Sequence, residues 1–299
     1  MRVFVTGATG FVGSAVVQEL IAAGHQVLGL VRSDASAKLL SATGAEVHRG
    51  DIEDLDSLRS GAAKADGVIH TAFNHDFSQF QANCETDRRV ITAMADVLAG
   101  TDRPLIITSG TGLLAGTGQI ATEDALPPAA SNAIPRVASE EAAAAAIERG
   151  VRALVVRLPP SVHGDGDHGF IPALIGIARQ KGIAAYVGEG LNRWPAVHRL
   201  DAAKLYRLVL EKGTGTDRFH AVDDQGIPMR DIAQIVGKRL HIPVVSKSPQ
   251  EAAEHFGWIA HFAGFDNPSS STLTRQWLGW EPTQPSLIAD LDRPQYFKV

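Results

Sequence analysis

The sequence predicts an α/β protein: a doubly wound parallel sheet with a smaller C-terminal lobe. Three observations carry this expectation. Short apolar runs alternate with amphipathic helical stretches up to about residue 160, a βαβ rhythm that places helices on both faces of a parallel sheet. The first apolar run leads directly into a turn with Gly7, Gly10 and Gly13. The chain has 299 residues, long for one small domain and short for two full ones.

The elements follow in order. Met1–Val5 reads as a buried strand. Phe11–Ala23 reads as a helix, with Val12, Ala15, Val16, Leu20 and Ile21 at helical spacing and Gly24 as its stop. Gln26–Val31 is a second strand, Ser36–Ala42 a helix and Glu46–His48 a short strand. Leu55–Ala62 is helical, Gly67–His70 with Thr71 a strand, and Cys84–Ala99 a long helix. Pro104–Thr108 is a strand that ends in Ser109-Gly110-Thr111-Gly112. Ser139–Arg149 is an alanine-rich helix and Arg152–Arg157 another strand. After Pro159-Pro160 the rhythm breaks up. Phe170–Arg179 is a helix, Ala184–Val187 a strand and Asp201–Leu210 a helix. Right-handed crossovers make the strands doubly wound.

The glycine turn is the most informative motif. In Thr6-Gly7-Ala8-Thr9-Gly10-Phe11-Val12-Gly13 the first glycine allows a tight turn off the strand. The second lets the backbone approach a pyrophosphate, and the third lets the new helix pack closely on the sheet. The helix N-terminus adds unpaired N–H groups and a favourable dipole for the anion. This is a Rossmann dinucleotide site, with Gly7, Thr9, Gly10, Phe11, Val12 and Gly13 as cofactor-binding candidates. The organisation expected is a Rossmann domain over 1–165, with 190–222 returning to it. Segments 166–189 and 223–299 then form the smaller substrate lobe.

The second strand ends at Arg32, where an acidic residue would bind the ribose hydroxyls of NAD. A guanidinium suits the extra 2′-phosphate of NADP. The cofactor expected is therefore NADP, with NAD as the alternative. Asp51 and Ile52, after the third strand, are placed to meet the adenine. Thr71 and Ala72 end the fourth strand at the carboxyl edge, where open α/β sheets hold ligands.

Composition excludes several function classes. The net charge of −5 gives no basic field for nucleic acid or an anionic membrane. No run of about 18 apolar residues is present to span a bilayer. The single cysteine, Cys84, allows no intramolecular disulfide and reads as a packed, inert thiol in a reducing compartment. No cluster has metal-ligand spacing, so no metal is expected. With no signal peptide apparent, the cytoplasm is the expected location.

The turn Thr6–Gly13, with Gly50-Asp51 and Val68-Ile69-His70-Thr71-Ala72, resembles the extended or atypical short-chain dehydrogenase/reductases. These include NAD-dependent epimerase/dehydratases and 3β-hydroxysteroid dehydrogenases. The similarity continues through Val155–Pro159, the strand and loop at the nicotinamide, and through Trp194–His198 and Asp201 on the substrate side. The resemblance implies that Thr108, Arg136, Pro159 and Val162 also line the cofactor. It implies a catalytic Ser or Thr, a Tyr, and a Lys four residues after the Tyr.

This chain departs from that device. None of its three tyrosines, Tyr186, Tyr206 and Tyr296, precedes a Lys at that spacing. Alignment puts Asn132 at the Tyr position, Arg136 at the Lys position and Glu140 at the Glu that follows. Asn132-Ala133-Ile134-Pro135-Arg136 is similar to the His-x-x-x-Arg pattern of an atypical subgroup, with Asn for His. Gly110 falls at the catalytic Ser place, leaving Thr108, Ser109 or Thr111 as sources of a hydroxyl. Arg136 keeps its charge, so its roles are ribose binding or stabilising a developing oxyanion. Asn132 can donate a hydrogen bond to a carbonyl or cap a helix. His75 beside Asp76 is the candidate acid near neutral pH, with His163 and His198 behind it.

On the substrate side stand Arg193, Trp194 and His198. Arg193 occupies a place where sugar-nucleotide members often carry a phosphate-binding Arg. His255, Phe256, Trp258, His261, Phe262 and Phe265 suit a cyclic or aromatic ligand, or the core of a small lobe. The function expected is an NADP(H)-dependent ketoreductase or alcohol dehydrogenase using a non-Tyr mechanism. A non-catalytic NADP-binding regulator or redox sensor is the alternative, and a sugar-nucleotide epimerase or dehydratase a further one. Resemblance also implies a homodimer through the helices matching Cys84–Ala99 and Val137–Arg149.

Overall fold

Alternating burial along the first strand organises the molecule. In the computed structural model, which describes residues 1–116, 118–214 and 218–298, Arg2–Thr6 (β1) points Val3 and Val5 to one face and Phe4 to the other. All three are fully buried, so both faces must be covered.

The chain continues through Phe11–Ala22 (α1), Gln26–Val31 (β2), Asp34–Ser41 (α2), Glu46–Arg49 (β3), Leu55–Ala63 (α3) and Gly67–His70 (β4). Then come Phe80–Leu98 (α4), Leu105–Gly110 (β5), Ala138–Glu148 (α5), Ala153–Leu158 (β6), Ser161–His163 (β7), Phe170–Lys181 (α6) and Ala184–Val187 (β8). Arg193–His198 (β9), Arg199–Lys212 (α7), Arg218–His220 (β10), Asp224–Pro228 (β11), Met229–Leu240 (α8), Val244–Lys247 (β12) and Pro249–Phe256 (α9) follow. Ala260–Gly264 (α10), Thr272–Leu278 (α11) and Leu287–Leu291 (α12) complete the described helices.

The main sheet has the order β10-β6-β5-β4-β1-β2-β3, and every pairing in it is parallel. On one face Val3, Val5, Ile69 and Ile106 meet α1 and α7 through Val16, Leu20, Leu205, Tyr206 and Val209. On the other, Phe4, Val68, Leu105 and Ile107 meet α3, α4 and α5 through Leu58, Ile91, Met94, Ala142 and Ala146. This is the doubly wound Rossmann arrangement that the βαβ rhythm predicts.

Two small sheets lie outside it. β9 pairs with β7 in parallel and with β11 antiparallel, while β8 pairs with β12. A third apolar cluster joins them to α6, α8 and α9 through Ile175, Trp194, Ile227, Ile232, Val236 and Phe256. α8 has strong helical spacing of apolar residues, Ile232, Ala233 and Val236, on one buried face. No helix is read from the sequence in that region.

Element boundaries differ in informative places. β5 runs on to Gly110 instead of ending at Thr108, because Ser109 and Gly110 stay in register with Arg157 and Leu158 of β6. α4 begins at Phe80, a turn before Cys84. Arg193–His198, to which the sequence assigns no element, is a strand. Among the described residues, no helix is long and apolar enough to cross a membrane, and no group of His, Cys, Asp and Glu is arranged to hold a metal.

A buried ion pair braces the sheet below the site. Arg157 on β6, fully buried, donates from Nε and Nη2 to the two carboxylate oxygens of Glu140, each at 2.7 Å. Two parallel N–H···O bonds make this the strong, bidentate form of the contact. Burial works to raise the Glu140 pKa, but Arg157 and Ser109 outweigh it and hold the carboxyl below its ordinary value.

Candidate active site

The cofactor cradle is built from backbone that tolerates no side chain. Gly7 has φ +68°, and a Cβ there would lie 2.8 Å from the Ala72 amide nitrogen and from Thr71 Oγ1. A Cβ on Gly13 would lie 2.0 Å from the Gly7 carbonyl oxygen. Real contacts are never that short, so the turn closes onto α1 only with glycine at both places. Gly10 begins α1 without a side-chain cap, which leaves the leading N–H groups for an anion. Thr9 and Gly10 are exposed beside it, and Phe11 and Val12 are half-buried. These features fit a dinucleotide pyrophosphate.

Around the cradle, Thr71 donates to the Thr6 carbonyl at 2.7 Å and the Ala72 N–H donates to Thr6 Oγ1 at 3.3 Å. The end of β4 is thereby pinned to the end of β1. Arg32 is exposed at the end of β2, while the next acidic residue, Asp34, is engaged by Arg49. Asp51 and Ile52 are half-buried at the end of β3, where Asp51 Oδ1 accepts the Glu53 N–H. Pro159 is buried and Val162 half-buried past the end of β6.

At the place aligned with the family's Lys stands a cation. Arg136 lies on the single 3₁₀ turn Pro135–Val137 that leads into α5. Its Nη2 donates to the Thr108 carbonyl at 2.9 Å and its Nη1 to Asp87 Oδ2 at 2.6 Å. The guanidinium carbon lies 4.2 Å from the centre of the Phe73 ring, a cation–π contact. Asp87, on α4, also accepts from His70 Nε2 at 2.8 Å and from Ser139 Oγ at 2.5 Å. His70 Nδ1 is 2.7 Å from Thr6 Oγ1. Burial works to raise the Asp87 pKa, but Arg136 and His70 outweigh it and hold the carboxyl well below the usual range.

His75 follows β4, exposed at its edge, with its ring 5.2 Å from that of Phe73. Desolvation by its neighbours and the charge of Arg136 push its pKa below the ordinary imidazole value. Cation and imidazole thus share one aromatic partner, Phe73. Asn132 is exposed on the turn preceding Arg136.

The hydroxyl candidates are held in place by other partners. Ser109 donates to Glu140 Oε1 at 2.8 Å, on the face of β5 that carries α5. Thr111 donates to Asn267 Oδ1 at 2.9 Å, and Asn267 Nδ2 returns a bond to the Thr111 carbonyl at 2.8 Å. Thr108 Oγ1 donates to the His70 carbonyl and lies 2.7 Å from the hydroxyl of fully buried Tyr206. Burial pushes the Tyr206 pKa up, and Tyr296 rises likewise where its hydroxyl accepts the Gly164 N–H. Cys84 is buried and its thiol is pushed up to about 11 by that burial, which suits an inert packed thiol.

The substrate candidates are partnered too. Arg193 is paired with Asp266, Trp194 is fully buried with its indole N–H on the Phe262 carbonyl at 3.0 Å, and His198 accepts the Leu200 N–H at the start of α7. His163 is buried against Asp290 at 2.8 Å. Of the row of rings between these parts, the sequence points to Trp258 and Phe262 but not to Phe77, Phe80 or Phe170. Phe77 stacks on Phe80 and on Trp258, with centroids 5.5 and 5.2 Å apart, and Phe170 lies 4.7 Å from Phe262. Trp258 is 56% exposed, so the row ends in an open aromatic face.

The profile of the NAD dependent epimerase/dehydratase family matches residues 3–222, from the glycine turn through β10. The chain belongs to this family. It is an NAD(P)-dependent oxidoreductase of the extended short-chain dehydrogenase/reductase type. An uncharacterized protein of Schizosaccharomyces pombe is 52% identical to the enzyme over 297 residues, covering 99% of this chain and 100% of its own. The 4-hydroxy-2-methyl-3-oxo-4-farnesyl-3,4-dihydroquinoline-1-oxide ketoreductase of Stigmatella aurantiaca is 26% identical over 270 residues, covering 86% of this chain and 80% of its own. In fold, the enzyme is similar to dTDP-glucose 4,6-dehydratase of Streptomyces venezuelae, solved with NAD bound. The TM-score is 0.79 at 20% identity, over 99% of this chain and 97% of that one.

Proposed function

We propose that this enzyme is an NADP(H)-dependent ketoreductase or alcohol dehydrogenase for a cyclic or aromatic small molecule, and that Arg136 takes the electrostatic role of the absent Tyr-Lys pair. The observation that carries this is the fixed guanidinium beside Phe73, at the carboxyl end of the sheet and next to a titratable His75. When bound, the nicotinamide supplies or accepts the hydride. Arg136 donates to the substrate oxygen and stabilises the negative charge that develops there. In the reductive direction His75 gives that oxygen its proton, and in the oxidative direction it takes the proton back. The rings of Phe77, Phe170, Trp258 and Phe262 offer a flat, uncharged surface for the ring of the substrate.

The NADP preference rests on exposed Arg32. The ring-shaped ketone named for the Stigmatella relative supports the same substrate class. Following NADPH consumption against quinones, cyclic ketones and aromatic ketones tests the reading. Turnover on at least one ring class is the expected result. Tight NADPH binding with turnover on none would overturn it in favour of the regulator alternative.

A further inference from the structure

We propose that Asp87 is a positioning residue of the reaction: its buried carboxylate fixes the open guanidinium of Arg136 and couples it to the cofactor turn. The proposal rests on the role given to Arg136 above.

The molecule contains its own comparison. Both Arg157 and Arg136 are paired with a buried carboxylate. In the Arg157–Glu140 pair the side chains are 0% and 4% exposed, so both of its charges are sealed, and the more open Arg218 that also reaches Glu140 belongs to the edge strand β10. In the Arg136–Asp87 pair the carboxylate is 3% exposed but the guanidinium 16%. Only the anchor is inside, and the cation presents itself to the cleft under Phe73. A buried, uncompensated carboxylate is costly, so this arrangement persists only because donors converge on it.

Those donors come from separate elements. His70 reaches Asp87 from β4, Arg136 from the turn before α5, and Ser139 from α5 itself. On its own helix, Cys84 lies near enough for Asp87 to raise the thiol's pKa. His70 in turn is joined to Thr6 Oγ1, which accepts the Ala72 N–H beside Gly7. A continuous chain of contacts therefore runs from the glycine turn to the guanidinium. Thr6, His70 and Asp87 also have the spacing of a hydroxyl–imidazole–carboxylate triad, yet Thr6 is 0% exposed and meets no substrate. The trio works as a support.

Asp87 also sets the charge around His75. The charged and titratable groups facing His75 are Arg136 and His168, which disfavour its protonated form, and Asp87, which favours it. Removing the Asp87 charge leaves Arg136 uncompensated and makes His75 harder to protonate.

The test is a cycle of Asp87→Asn, Arg136→Gln and the double variant. For Asp87→Asn the expected result is a loss of about tenfold or more in kcat, with KM for the carbonyl substrate within about twofold. The double variant should be no worse than Arg136→Gln alone, because one residue acts through the other. In the cofactor-free protein, NMR titration of the His75 ring should show its pKa lowered by Asp87→Asn and raised by Arg136→Gln. A kcat and His75 titration like those of the unaltered protein, or losses that simply add, would overturn the proposal. If Arg136→Gln itself leaves kcat intact, the role of Arg136 fails and this proposal with it. If Arg136→Gln is inactive while Asp87→Asn is not, only the Asp87 proposal fails. Should Asp87→Asn not fold, Ser139→Ala loosens the same carboxylate oxygen and should cost about threefold in kcat. No loss there would count against it.

Discussion

Arg193 and Asp266 meet edge to edge: Nε donates to Oδ1 at 3.0 Å, Nη2 to Oδ2 at 2.7 Å, and the Arg193 N–H adds a third bond to Oδ1 at 2.7 Å. The residue placed where sugar-nucleotide relatives bind phosphate is therefore already occupied by a carboxylate. This disfavours a diphosphate substrate and agrees with the ring ketone proposed above.

Removing that carboxylate should change what binds. Asp266→Ala should raise affinity for uridine diphosphate by about tenfold, the scale of one charge-assisted contact. Both side chains are about a third exposed, so stability should fall by only about 1 kcal/mol or less. Calorimetry of the variant beside the unaltered protein checks this, and equal uridine diphosphate affinities would reject it.

At the cradle, Gly13→Ala should abolish NADPH binding. The new methyl would need the space of the Gly7 carbonyl, 2.0 Å away, and the turn would have to open. Fluorescence titration with NADPH measures the loss. Cofactor affinity within about threefold of the original would mean the turn is more plastic than close packing allows.

Arg32→Glu should weaken NADPH far more than NADH, since it replaces a cation suited to the 2′-phosphate with an anion that repels it. A ratio of affinities altered by about a hundredfold is expected, from roughly two charge contacts exchanged. Equal losses for both cofactors would remove Arg32 from the specificity argument.

Turnover should depend on pH through His75. Its folded pKa lies below the ordinary 6.5, so it is protonated only at acid pH. Ketone reduction, which needs the proton, should therefore fall as pH rises through a midpoint below 6.5, and alcohol oxidation should rise through the same midpoint. His75→Gln should remove the inflection from both profiles. An inflection that survives it would assign the proton to another group.

The parts legible in the sequence are those whose causes are local. The glycine turn is readable because three close residues fix one backbone path, and the structure shows a Cβ excluded at Gly7 and Gly13. The parallel sheet is readable because its strands are apolar on both faces. Arg136 was found only by resemblance, since nothing in Pro135-Arg136-Val137 distinguishes it from an exposed helix start. Asp87 and Asp266 were missed because the partners that give them meaning are 49 and 73 residues away in the chain. Ser109 and Thr111 read as catalytic hydroxyls for the same reason, since Glu140 and Asn267 lie 31 and 156 residues away.

The packing of α1 against α7 has a consequence for how the protein can be made. Tyr206, Leu205 and Val209 form one wall of the core that Val16 and Leu20 begin, and the edge strand β10 starts only at Arg218. A nascent chain that has exposed the whole glycine turn still lacks half of the cover for its own sheet. The sheet that carries the nucleotide turn is thus covered on that face only once α7 has emerged. A fragment cut after the sixth strand would emerge with its apolar face bare, a substrate for chaperones rather than a minimal cofactor-binding module.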